Sequence, residues 1–221
     1  MKVLCLTTLA MLVSAPAWAD DPAPKGKDAE SWTSLFDGKT LQGWKSSEFG
    51  GQGEPRVEDG KIVLPMGADL TGIRWAGEHR TMDYELSLEA VRIDGNDFFC
   101  GLTFPVGDDP CSLIVGGWGG SLVGLSSLDG FDASENETSQ VLDFEKNRWY
   151  KVRLRVTKPK IEVWLDGKQI IDVETEGRRI SIRIEVERSR PLGIASWCTT
   201  AALRDIKVRP VTGPATPVQK P

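Results

Sequence analysis

His79 is the only histidine in the chain, and histidine is the side chain whose ordinary titration lies nearest neutral pH. It follows Gly77-Glu78 and is a candidate general base, against the plainer alternative of a surface-loop histidine. Carboxylates offer a second kind of chemistry. Glycosidic bond cleavage needs two carboxyl groups about 5–9.5 Å apart, and alternate residues on one strand are separated by about 6.6–6.8 Å. Glu85 and Glu89 lie four apart with Ser87 between them, so a central carboxylate is missing and the plainer reading is a polar strand face. Glu185 and Glu187 have the required i,i+2 spacing, but Arg183, Arg188 and Arg190 crowd around them, which fits a salt-laced exposed strand. A third feature is Gly116-Gly117-Trp118-Gly119-Gly120, where four glycines leave an indole accessible. Sugars present apolar C–H faces that stack on aromatic planes while polar groups read their hydroxyls. Trp118 with Asn96, Asp97, Asp132 and Glu135 would make such a substrate-binding site; the alternative is a glycine-rich turn whose tryptophan caps the core.

These residues need a scaffold, and the alternation of apolar and polar residues supplies one. Tyr84, Leu86, Leu88 and Ala90 alternate with Glu85, Ser87 and Glu89, and Tyr150, Val152, Leu154 and Val156 alternate with Lys151, Arg153 and Arg155. Asp59-Gly60 and Asp166-Gly167 mark tight hairpins. Further strands are expected over 98–104, 112–115, 161–173, 180–186, 192–197 and 202–208. No 12-residue segment carries a helical period. Many short strands with regular turn signals predict an all-β jelly-roll β-sandwich of two antiparallel sheets.

The chain has 221 residues and a net charge of −5. No basic run interrupts that acidic balance, which argues against a nucleic-acid partner. Residues 1–19 read as a signal peptide: Lys2, an apolar run from Val3 to Val13, then Ala17-Trp18-Ala19 as a cleavage site. The apolar run is too short for a stable bilayer anchor, so the mature chain is expected to be exported, periplasmic or extracellular, with no transmembrane segment. Residues 20–30 read as a flexible leader, 31–210 as the jelly-roll domain, and 211–221 as a Pro-rich flexible tail. Export permits a disulfide, and Cys100 and Cys111 flank a hairpin loop; a bond between them and a pair of buried thiols are both open, with Cys198 unpaired. One histidine and scattered cysteines lack metal-ligand spacing, and no cofactor is called for.

Trp32, Leu35-Phe36-Asp37-Gly38-Lys39, Leu41 and Gly43-Trp44 resemble the opening of the 3-keto-disaccharide hydrolase family, also described as 3-keto-glucoside lyases. The resemblance extends through Trp149-Tyr150, Leu165-Asp166-Gly167 and Leu203-Arg204-Asp205-Ile206. It implies a concanavalin- or laminin-G-like jelly roll acting on oxidised glycosides by hydrolysis or elimination. In that chemistry a C3 ketone acidifies the C2 proton, so His79, Glu89 or Asp97 would serve as base and Arg74 as the oxyanion donor. The family's Gly-Asn-Ser-Gly segment is only half kept: Gly95 and Asn96 match, Asp97 stands at the serine, and the following arginine is missing. Cys111 to Val115 carries no carboxylate, and Ser196-Trp197-Cys198-Thr199 replaces an expected Gln-Asp-His cluster. Those departures imply a second function class, a non-catalytic carbohydrate-binding jelly roll centred on Trp118.

Overall fold

The computed structural model describes residues 31–211 and the backbone of 218–219. The expected signal peptide and leader lie outside the described residues. The first strands are β1 (Thr33–Ser34), β2 (Trp44–Ser46), β3 (Arg56–Glu58), β4 (Lys61–Leu64), β5 (Leu70–Trp75) and β6 (His79–Arg80). The middle of the chain forms β7 (Tyr84–Gly95), β8 (Cys100–Val106), β9 (Asp109–Gly117), β10 (Leu122–Ser126) and β11 (Gln140–Val141). The last group is β12 (Trp149–Val156), β13 (Lys160–Leu165), β14 (Lys168–Glu174), β15 (Gly193–Trp197), β16 (Thr199–Pro210) and β17 (Val218–Gln219).

They form two antiparallel sheets. One runs β14-β13-β12-β7-β16-β4-β3, with β1 added to β16; the other runs β11-β10-β9-β8-β15-β5-β2. The short β17 pairs with β6. The all-β sandwich predicted from alternation is the observed architecture, and the reason is visible in its inner faces. Leu86, Leu88 and Ala90 of β7 and Val152 and Leu154 of β12 meet Leu102 and Phe104 of β8 and Leu113 and Val115 of β9, all buried in one apolar core. Outward positions then carry whatever the outer faces require.

The opening motif stabilises this frame. Asp37 Oδ1 accepts hydrogen bonds from the Lys39 and Thr40 N–H groups at 2.8 and 2.7 Å, which closes the turn. Trp44 is buried, donates Nε1–H to the Leu35 carbonyl at 2.8 Å, and packs edge-on to Trp75. A Cβ on Gly43 would collide with the Trp75 ring, so glycine is required there by the indole pair.

One expectation is corrected and one open alternative is resolved. The segment expected as a strand over 180–186 instead forms a 3₁₀ turn, Ile184–Ser189, and Ile180 keeps only an isolated bridge to Leu128. Ile180, Ile182, Ile184 and Val186 do alternate with polar residues as a strand's would, but the segment is bridged only at Ile180 and then curls, so that Val186 alone of its first turn is buried. The three cysteines 100, 111 and 198 are free. Cys111 pairs in register with Phe104 and Cys100 with Val115, four residues along β8. That offset is about 13 Å along the strand, well beyond the reach of a disulfide.

Candidate functional site

The outer face of the seven-stranded sheet carries a row of small polar residues. Ser126, Ser112 and Thr103 are register neighbours across β10, β9 and β8, and all three are buried. The Thr103 and Ser112 hydroxyls share a hydrogen bond of 2.9 Å. They are buried because the chain between β14 and β15 folds back over this face: Val186 packs with Ile114, Phe98 and Ala195 in a second, smaller apolar cluster. Between that covering segment and the loops at the sheet's end lies a cavity of about 230 Å³. Ser112, Ile114 and Ser126 line it from the sheet, Arg183 and Glu185 from the covering segment, and Asp97, Trp118 and Trp197 from the loops.

Trp118 owes its place to an arginine on the opposite sheet. Arg92 points inward from β7, is 5 % exposed, and donates Nη2 hydrogen bonds to the carbonyls of Gly116 (3.1 Å) and Gly120 (2.8 Å). Its guanidinium also lies over the Phe99 ring, and burial pulls its pKa below the usual arginine value. On the other side Asp97 Oδ2 accepts from Gly119 N–H at 3.1 Å, and Oδ1 accepts from Phe98 N–H at 2.7 Å. The loop turns through left-handed backbone at Gly116 (φ 77°), Trp118 (48°) and Gly120 (109°). A Cβ on Gly116 would strike the Arg92 guanidinium and one on Gly120 would lie 2.9 Å from the Asn96 carbonyl oxygen. The glycines therefore let the loop close on its anchors, and the indole is left 44 % exposed.

The opposite wall is held by ion pairs. Arg183 bonds Glu185 at 2.8 Å and Asp132 at 2.9 Å. The bond from Arg183 is the main cause that lowers the Glu185 pKa, and the Glu185 bond in turn raises that of Arg183. Burial opposes ionisation of Asp132, but hydrogen bonds from the Ser134 hydroxyl and N–H, together with Arg183, outweigh it and lower the pKa. The loop bearing Asp132 is pinned by Asn136, whose carboxamide donates to the carbonyls of Leu125, Phe131 and Asp132 and accepts from Thr138. Asn136 is thereby buried as a structural residue, although Asn136-Glu137-Thr138 has the form of a glycosylation sequon.

Of the residues singled out from sequence, Asp97 and Trp118 line this cavity together. Asp132 joins them indirectly through Arg183. Asn96 is exposed beside the Gly120 turn, and Glu135 is exposed in the Asp132 loop, its N–H bonded to the Asp132 carbonyl. The four residues proposed for catalysis do not converge. His79 lines a different cavity, about 360 Å³, with Trp75, Glu78 and Arg209, and its Nδ1 is enclosed without a hydrogen-bond partner. Glu89 lies on the outer face of the other sheet, bonded to Arg204 at 2.7 Å. Arg74 sits on β5 opposite Gly193 and Lys45, with β15 and β8 between it and β9. Sequence reasoning passed over Arg92, Ser112 and Ser126, took Glu185 and Arg183 for a salt-laced exposed strand, and noted Trp197 only as part of the segment that replaces the family's Gln-Asp-His cluster. The available signals were an arginine in an otherwise apolar register on β7 and serines at outward positions of apolar strands.

A family model described as a 3-keto-alpha-glucoside-1,2-lyase-like domain matches residues 31–209. The chain belongs to that family. This lyase-like domain is also similar in fold to a carbohydrate binding module, CBM66, from Bacillus subtilis, at 16 % identity over 76 % of this chain and 95 % of that one, with a TM-score of 0.50. A putative glycosyl hydrolase from Parabacteroides distasonis aligns at 17 % identity over 82 % and 94 % of the two chains, with a TM-score of 0.53. The exoplasmic/lumenal domain of VIP36, in a Ca2+/Man3GlcNAc-bound form, aligns at 13 % identity over 83 % and 90 %, with a TM-score of 0.57. Among curated protein sequences none matches significantly. At these identities the neighbours establish the fold of the lyase-like domain and nothing finer. Among its described residues no helix is long and apolar enough to cross a membrane.

Proposed function

We propose that the cavity beside Trp118 binds a glycoside, and that the domain acts as a carbohydrate-binding jelly roll outside the cytoplasm. The observation that carries this reading is the partly exposed Trp118 indole on the rim of a cavity that also presents Trp197, Asp97, Glu185 and Arg183. Aromatic planes and fixed charged or hydroxyl groups in one concavity are what a pyranose needs: stacking for its C–H face, donors and acceptors for its hydroxyls. The carboxylates favour binding over proton transfer. Both Asp97 oxygens already accept backbone N–H bonds, and Glu185 is held ionised by Arg183. Calorimetric titration with a panel of neutral and 3-keto-glucosides tests the reading: wild type binds and Trp118→Ala loses at least tenfold. Unchanged binding in Trp118→Ala overturns it.

A second reading is the elimination named by the family, and one observation favours it: Asp97 and Arg183 line the same cavity. Asp97 would take the C2 proton of a 3-keto-glycoside while Arg183 stabilises the enolate oxygen at C3; collapse of the enolate breaks the C1–O bond, and the aglycone oxygen takes that proton from Asp97 and leaves as the alcohol. Aglycone release from a 3-keto-glucoside that is abolished in Asp97→Asn, with binding retained, would select this reading over simple binding.

A further inference from the structure

The outer face of the eight-stranded sheet is built unlike the cavity face. Outward positions of β7 are Glu85, Ser87 and Glu89, and their register neighbours are cationic on both sides. Arg155 and Arg209 flank Glu85, Arg153 and Lys207 flank Ser87, and Lys151 and Arg204 flank Glu89. Six cations thus surround two carboxylates on the three central strands, in a chain whose overall charge is −5. Asp205 and Glu162 supply partial relief, Asp205 bonding Lys207 at 2.7 Å and Glu162 lying 3.9 Å from Arg155. The surplus is concentrated in the middle row. There β7 offers a serine, buried and with its hydroxyl unpartnered, where its rows on either side offer a carboxylate. Arg153 reaches only to 3.8 Å from Glu85.

The same cations are held in place by indole rings. Arg153 stacks on Trp164 with its guanidinium carbon 3.8 Å from the ring centroid, Arg204 on Trp149 at 4.0 Å, and Arg209 on Trp32 at 4.7 Å. Stacking fixes a guanidinium's plane without neutralising its charge, so its N–H edges stay available for an oxyanion. Cations on β12 and β16 are two strand spacings apart, about 10 Å. Two parallel rows at that separation suit charged groups repeated along an extended chain better than a single small anion.

We propose that this face binds an anionic polysaccharide, one carrying carboxylate or sulfate groups, through Arg153 and Lys207 at its centre. The occupant is chosen by charge complementarity together with membership of a carbohydrate-related family. The site is separate from the cavity at Trp118, so either can fail without the other.

The test uses the whole domain and four probes: a sulfated heparin-type oligosaccharide, an oligogalacturonate, a neutral dextran oligosaccharide and a single-stranded oligonucleotide. At low salt one of the two anionic saccharides binds and the dextran leaves this face untouched; binding weakens as salt rises. Arg153→Gln with Lys207→Gln weakens it at least roughly tenfold, the loss expected of charge-assisted hydrogen bonds. Ser87→Asp, which supplies the missing carboxylate without removing either cation, weakens it as well and serves if the double variant does not fold. Trp118→Ala leaves it unchanged. Which anionic saccharide binds distinguishes a uronate from a sulfated chain. The proposal is overturned if neither binds, if the Gln and Asp variants bind as wild type does, if Trp118→Ala abolishes binding, or if the oligonucleotide binds equally well.

Discussion

The two outer faces of this sandwich use the same kinds of residue for opposite ends. On the seven-stranded sheet, a covering segment and a glycine-rich loop stand above buried serines and leave a hollow with an exposed indole at its rim. On the eight-stranded sheet no described segment folds over; tryptophans lie under arginines, Glu89 is paired with Arg204, and Glu85 is held by cations from both neighbouring strands. Glu85 and Glu89 have acceptable types for catalysis, yet each is committed to an arginine on an open sheet face. Asp97 and Glu185 lie far apart in sequence, but the chain's return over the sheet brings them to one cavity. Concavity, supplied by connections between strands, decides which polar residues can meet a ligand.

That contrast can be broken by four measurements. The largest effect is expected on the cavity side. Arg92→Met keeps the stem packed on Phe99 but leaves the Gly116 and Gly120 carbonyls without donors, which should cost about 3 kcal/mol in denaturant unfolding and abolish saccharide binding at Trp118. Wild-type stability in this variant would show that the loop does not depend on the opposite sheet. Next comes Glu85→Ala on the flat side. It leaves Arg153, Arg155 and Arg209 around an emptied position, but each is partly exposed and can turn to solvent, so about 1–2 kcal/mol is expected, with saccharide binding in the cavity unaltered. A simultaneous loss of cavity binding would couple two faces that the structure keeps apart.

Trp118→Ala should change stability by less than about 0.5 kcal/mol, because the indole is partly exposed, while removing saccharide affinity. A large drop in melting temperature would instead make Trp118 a core cap. The smallest effect is an acid one. Asp132 and Glu185 have lowered folded-state pKa values, so the stability they add is complete above the unfolded carboxylate range, near about 4, and is lost as pH falls through the folded values. Glu185 is partly exposed and screened by solvent, and the burial of Asp132 offsets part of what its partners contribute, so about 0.5 kcal/mol is at stake. Melting temperatures of wild type and Arg183→Gln should therefore differ at neutral pH and converge in acid; a gap that persists at low pH would assign the role of Arg183 to packing.

Much of the fold was legible because it depends on local rules. Asp59-Gly60 and Asp166-Gly167 take the positive φ values a two-residue hairpin needs, and the alternation along β7 and β12 fixes which residues face the core. The segment 180–189 departs from expectation because Ile180, Ile182, Ile184 and Val186 carry a strand's alternation, yet its conformation is set by Val186 docking on the outer face of the seven-stranded sheet. The possible disulfide between Cys100 and Cys111 was undecidable from spacing, since the register of β8 on β9, not the length of the loop, sets their separation. Burial then pushes both thiols up to about 12.

The candidate site divides along the same line. Glycines around Trp118 announce an exposed indole, because only a residue without Cβ tolerates those backbone angles and close approaches, and Asp97 beside Gly95-Asn96 reads as a loop carboxylate. Sequence by itself therefore determined the sandwich, the faces of its strands and the Trp118 loop. Tertiary structure alone decided that Asp97 joins that loop while His79, Glu89 and Arg74 stand elsewhere, and that Arg92 holds it from the far sheet. Strand alternation is written in neighbouring residues, whereas the meeting of Asp97, Trp118, Arg183 and Trp197 spans some hundred residues and exists only once both sheets have closed on their common core.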